Sequence, residues 1–108
     1  MAVAKLLVAV VGDNVALAEC ARHHSTMFIT GQTLTVFAGG RAIHYDGAMN
    51  TVHNHGALCE RLHSQPLVAS AQKVRVEGIA IARNLDPFKL CTGVVKAYSQ
   101  TTVFVGAE

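Results

Sequence analysis

The sequence predicts a single small all-β domain over residues 1–108, made of three short hairpin-like pseudo-repeats. Three observations carry this expectation. A strand-like phrase recurs as QTLTVFAGG at 32–40, QKVRVEG at 72–78 and QTTVFVG at 100–106. A run rich in strand-forming residues precedes each copy: MFIT, PLVAS or VVKAYS. A potential metal ligand also keeps step with each glutamine. His24 stands eight residues before Gln32, His63 nine before Gln72, and Cys91 nine before Gln100.

Taken in order, MAVAKLLVAVVGDN reads as a strand entering a turn at Gly12-Asp13-Asn14. Its apolar part, 6–11, is too short to cross a membrane, and Gly12-Asp13 interrupts it, so a cleaved secretion leader is not expected. Residues 15–23 and 56–63 are the stretches with room for a turn or two of helix. The first glutamine phrase carries one extra residue before its glycine, which a β-bulge would absorb. In the second, Val74, Val76 and Gly78 alternate with Arg75 and Glu77, and Val74 and Val76 stand where Thr102 and Phe104 stand in the third. Pro66 and Pro87 fall at strand starts or turns, where a missing N–H is tolerated. The first two copies close with polar tails, GGRAIHYDG and GIAIARNLD.

Composition narrows the function classes. The chain is 51% hydrophobic and only 15% charged, high for a small soluble monomer, so some apolar surface is expected to face another protein. The net charge is +2 with basic residues scattered singly, which argues against nucleic acid. Three cysteines are an odd number and six histidines are many, a combination that points to metal and a reducing compartment rather than a disulfide framework. No Ser elbow, P-loop or His-Glu-x-x-His occurs, and the acidic residues number seven with no close pair, so an enzyme is not expected. The competing readings are an open metal site built on His53 and His55 with Asp46 or Glu60, a Cys59–His63 nucleophile and base, and a small zinc-binding interaction module.

Several phrases resemble those of the PAAR-repeat family. Val11-Gly12-Asp13 is similar to its opening turn, and Thr35-Val36-Phe37 and Thr102-Val103-Phe104-Val105-Gly106 to its hairpin phrase. Residues 76–86, VEGIAIARNLD, resemble its hairpin and tail, with Ile79–Arg83 in place of Pro-Ala-Ala-Arg. Ser25 follows His24 where the family has glycine, and the first tail, Ile43-His44-Tyr45-Asp46-Gly47, inverts its Asp and Gly. The resemblance runs from about residue 10 to residue 106.

What the resemblance implies is a cone-shaped domain whose three repeats converge on a metal at the apex. The implied role is to cap a trimeric β-helical spike, one tip per trimer, in a contractile injection machine: a phage tail baseplate, a tailocin or a type VI secretion system. Such a tip is made in the cytoplasm, rides at the end of the spike as a virion component, and touches the target cell envelope as it pierces it. It binds no small-molecule substrate. The implied ligands for one structural zinc, or alternatively iron, are His24, His63 and Cys91, with Cys59 as the fourth on the family's habit of a cysteine ahead of the second histidine. Cys20 and then His55 are the alternatives for that fourth place, while His23, His44 and His53 are expected to lie outside the site. His44→Ala is accordingly expected to affect neither metal nor stability. The chain ends two residues after Gly106, so no appended toxin is expected, which suits a phage baseplate. Val36, Phe37, Val103 and Phe104 are expected on the broad face that meets the spike.

Overall fold

The computed structural model describes residues 5–19, 22–28, 30–51, 53–54, 62–89 and 93–106, with backbone alone at 17–19, 22–25, 27, 53–54 and 62–63. Among these residues the regular elements are all strands, paired antiparallel in small sheets. β1 (Lys5–Leu7) pairs with β11 (Phe104–Gly106), and β2 (Asn14–Glu19) lies between β3 (Arg22–Met27) and β10 (Val94–Lys96). β4 (Gln32–Ala38) pairs with β5 (Arg41–His44), β6 (His53–Asn54) with β7 (Leu62–His63), and β8 (Ala71–Val76) with β9 (Ile79–Ile81). The all-β expectation holds. Where a helical turn had room at 15–23, β2 and β3 run instead, because Val15 and Ala16 pair with Thr26 and Ser25 on one side and Val95 and Val94 on the other.

Three backbone segments close on one another in a ring. Ala9 N donates to Ala82 O at 3.0 Å, Ala82 N to His44 O at 3.1 Å, and His44 N to Ala9 O at 2.9 Å. A second circuit repeats the pattern: Val11 N to Ala42 O at 2.9 Å, Asp46 N to Ala80 O at 2.8 Å, and Asn84 N to Leu7 O at 2.7 Å. The isolated bridges Val8↔Arg83, Val10↔Ile43 and Tyr45↔Ile81 form a third. Residues 5–13, 40–48 and 78–86 therefore occupy equivalent places around one axis. Each satisfies its neighbour's buried N–H and C=O groups, which a sheet edge would leave open.

A hairpin enters each segment. β4–β5 turns through Gly39-Gly40 and β8–β9 through Glu77-Gly78, all four with positive φ, as a two-residue type I′ loop requires. The run VRVEGIAIAR is thus a hairpin, not one alternating strand, because Glu77-Gly78 reverses the chain. The third hairpin is assembled from the two ends of the sequence, Phe104–Gly106 against Lys5–Leu7, and has no turn. Aligning the hairpins on Phe37↔Ala42, Arg75↔Ala80 and Phe104↔Leu7 makes Thr33, Ala71 and Gln100 equivalent. Burial agrees, since these three are 3%, 0% and 5% exposed while Gln32 and Gln72 lie at the surface. The glutamines are therefore not matching residues, and Val74, not Val76, stands level with Val36 and Val103. Both complete hairpins carry a register shift, between Gln32 and Phe37 and between Ala71 and Arg75, so a bulge is not peculiar to the first copy.

Each ring segment leaves through a tight turn closed by its fourth residue: Asp13 N to Val10 O, Ala48 N to Tyr45 O and Asp86 N to Arg83 O. The third turn position is left-handed, with φ of 106° at Gly12, 90° at Gly47 and 71° at Leu85. Two copies use glycine and the third forces an exposed leucine into a conformation that costs a side-chain-bearing residue roughly 1–2 kcal/mol. Leu85→Gly is expected to stabilise the domain by about 1 kcal/mol, readable as a higher urea midpoint, despite the freer unfolded chain. An unchanged or lower midpoint would mean that Leu85 is held without strain.

The core splits into two apolar clusters, one on each side of the ring. Val8, Ile43 and Ile81 meet Ala38, Val76 and Val105 of the hairpins in one. Ala9, Ala82, Val15, Leu67, Phe88 and Val95 form the other, with Phe28 packed against it.

Candidate functional site

Beyond each turn the chain makes an excursion and returns. The limbs pair at Asn14↔Met27, Met49↔Pro66 and Pro87↔Val94. One residue further on, each outgoing limb bridges to a neighbouring excursion, at Val15↔Val95, Asn50↔Phe28 and Phe88↔Leu67. The three excursions leave the ring from equivalent positions, and their described limbs are laced to one another.

All three cysteines and every histidine except His44 belong to these excursions: Cys20, His23 and His24 in the first, His53, His55, Cys59 and His63 in the second, Cys91 in the third. His24, His63 and Cys91 each stand three residues ahead of a closing residue, Met27, Pro66 and Val94 respectively. This common spacing replaces the unequal offsets to the glutamines. The backbone carries His24 in β3 opposite Leu17 and His63 in β7 opposite His53. Cys59, Cys91, Cys20 and His55 lie outside the described residues, as do the side chains of His23, His24, His53 and His63. Among the described residues no group of three or more His, Cys, Asp or Glu side chains comes together.

His44 is the histidine whose surroundings are fully described, and it is not a neutral bystander. It occupies the ring place that Ala9 and Ala82 fill in the other two copies, and it is 2% exposed. Its ring stacks on Phe28 at 3.9 Å between centroids, and Nδ1 lies 3.0 Å from Gly31 O. A carbonyl only accepts, so Nδ1 carries the proton and Nε2 is left as a buried acceptor with no protein partner. Burial holds its pKa below the ordinary value of 6.5, against upward pulls from the Gly31 carbonyl and the Asp13 carboxylate. These contacts lead to the opposite expectation from the sequence reading, that His44→Ala lowers stability. The available signal was its place in Ala42-Ile43-His44, a short apolar run on a strand.

Buried carboxylates fasten the turns. Asp13 accepts from Val10 N at 2.7 Å, Tyr98 N at 2.9 Å and Ser99 N at 2.8 Å. Its counterpart Asp86 accepts from Arg83 N at 3.0 Å and from the Ser70 hydroxyl. Burial raises the Asp86 pKa, opposed by those bonds and by the Arg83 guanidinium 3.7 Å away.

At the hairpin end three equivalent phrases line a surface: Thr35-Val36-Phe37, Lys73-Val74-Arg75 and Thr102-Val103-Phe104. Phe37 is 58% exposed, Phe104 51%, and Leu34 beside them 82%. Glu77 crosses from the second hairpin to the first, its carboxylate accepting from Leu34 N at 2.9 Å, Thr35 N at 2.7 Å and Thr35 Oγ1 at 2.8 Å. The bond from Thr35 N, first among these, lowers its pKa.

No protein-family model matches the chain, and no curated protein matches it.

Proposed function

We propose that this chain is a metal-stabilised tip that caps a trimeric β-helical spike, one tip per trimer, and helps pierce the target cell envelope. The machine is a contractile injection apparatus, a phage tail baseplate in the first instance and a type VI secretion system otherwise. The observation that carries the reading is the closed three-fold circuit of backbone hydrogen bonds within one chain. A monomer that repeats itself three times about an axis can offer each copy of a three-fold partner the same contact. The exposed Val36, Phe37, Val103 and Phe104 at the hairpin end support that end as the seat on the spike.

In this reading the excursions taper to the point of a cone. His24, Cys59, His63 and Cys91 hold one zinc or iron there, two imidazoles and two thiolates satisfying a tetrahedral shell. The gathering of cysteine and histidine into the three excursions, with His24, His63 and Cys91 at a common spacing from the closing pairs, supports that donor set. The metal's contribution is cohesion. A slender point has too little apolar area to hold itself, and coordinate bonds tie the passes together. A closed shell leaves no position for a reacting water, so no catalysis follows.

Metal content by plasma mass spectrometry tests this. About one zinc or iron per chain, retained under chelation until the protein unfolds, is the expected result. Cys91→Ser and His63→Ala are expected to lose the metal and to lower the melting temperature on the order of 10 °C. His44→Ala should keep the metal. A metal-free protein that is fully stable would sink the reading.

A further inference from the structure

The three phrases at the hairpin end hold equivalent register positions but differ in chemistry. Two read Thr-Val-Phe and the third reads Lys-Val-Arg, so Arg75 stands where Phe37 and Phe104 stand. All three of these side chains are exposed. Arg75 Nη1 reaches the Gly78 carbonyl of its own turn at 3.2 Å, and the nearest carboxylate in sequence, Glu77, is committed to the neighbouring hairpin. One third of the seat is therefore cationic.

We infer that each copy of the three-fold partner presents an apolar or aromatic floor with a carboxylate at its edge, and that Arg75 engages one of those three carboxylates. The inference rests on the spike-cap reading and names the chemistry of the surface it seats on. A homotrimer offers the same seat three times, and that seat must accept Val-Phe twice and Val-Arg once. A guanidinium is flat and weakly hydrated, so it lies on an apolar or aromatic floor much as a phenyl ring does, but its charge needs an acceptor. A purely apolar seat would leave the cation desolvated and unpaired, and a purely acidic one would reject both phenylalanines. The acceptor must belong to every copy, because the partner's three seats are identical.

Two trimeric β-helical probes test this, identical except that the blunt end of one carries three glutamates and that of the other three glutamines. Calorimetric titration of the metal-loaded protein at 50 mM salt should show about tenfold tighter binding to the glutamate end, shrinking at 300 mM salt. Arg75→Phe should erase the difference while still binding both probes. Equal affinity of the unmodified protein for both ends overturns the inference and leaves the cap reading standing. Failure to bind either end, when Phe37→Ser with Phe104→Ser changes nothing measurable, overturns both. Sedimentation showing a dimer that the same double substitution dissolves would assign the face to a second copy of this chain, again overturning the inference.

Discussion

Asp13→Ala is expected to cost about 3–9 kcal/mol, because three backbone N–H groups lose their acceptor at roughly 1–3 kcal/mol each. Whole-domain stabilities run about 5–15 kcal/mol, so this single change brings the fold close to its limit. The carboxylate has two jobs. One oxygen closes the turn that ends the first ring segment, through Val10 N, and the other fastens Tyr98 and Ser99, which come from the far end of the sequence. Asp13 is 1% exposed, so water cannot take its place without rearrangement. Asp13→Asn retains one carbonyl oxygen and should fall between the two. Urea denaturation checks the series, and a loss below about 1 kcal/mol for the alanine variant would mean those N–H groups find other acceptors.

The second large effect belongs to His44. Truncation to alanine removes a fully buried ring from its stack on Phe28 and leaves the Gly31 carbonyl without its donor, an expected loss of about 2–4 kcal/mol at pH 8. The pH dependence separates the imidazole from mere bulk. Its folded pKa lies below 6.5, so the unfolded chain takes up the proton first as pH falls. The contribution is complete above about 6.5 and declines below it with a slope approaching about 1.4 kcal/mol per pH unit, until the folded value is reached. Asp86 acts in the opposite sense at lower pH, because burial lifts its folded value above 3.8. His44→Leu keeps most of the volume and should flatten the wild-type decline between pH 7.5 and 5.5. The other five histidines are common to both proteins, so the difference isolates this one. Parallel stability curves for the two would show that His44 takes up its proton without hindrance.

Much of the architecture was legible in the residues. Thr-Val-Phe phrases and β-branched runs indicated strands, and the threefold recurrence indicated an internal repeat, as the cyclic hydrogen bonds bear out. The alignment on glutamine slipped because composition, not position, made Gln32, Gln72 and Gln100 look alike. Only Gln100 is buried, where its side chain serves the backbone of Val8, Thr102 and Val103. The third hairpin was hidden because its strands are the two ends of the chain, and local patterning carries no sign of so distant a partner. His44 was underrated for a related reason. A histidine among apolar neighbours looks incidental until the ring shows that its side chain fills space that two alanines leave elsewhere. For the proposed site, the sequence offers the order of His24, His63 and Cys91, and the closing residues Met27, Pro66 and Val94 give the frame in which their spacing is equal.

The hairpin shared between β1 and β11 has a consequence for how the molecule forms. Two hairpins are local, each closed by a two-residue turn, and such units assemble in microseconds. The third must gather residues separated by nearly the whole chain, at roughly 4 kcal/mol of loop entropy that no turn lessens. Until residues 7–11 dock, no circuit around the axis is complete, since Ala9 and Leu7 supply acceptors and Ala9 and Val11 supply donors to segments already waiting. Folding should therefore end where the sequence begins, with the first strand arriving last and turning an open strip into a ring.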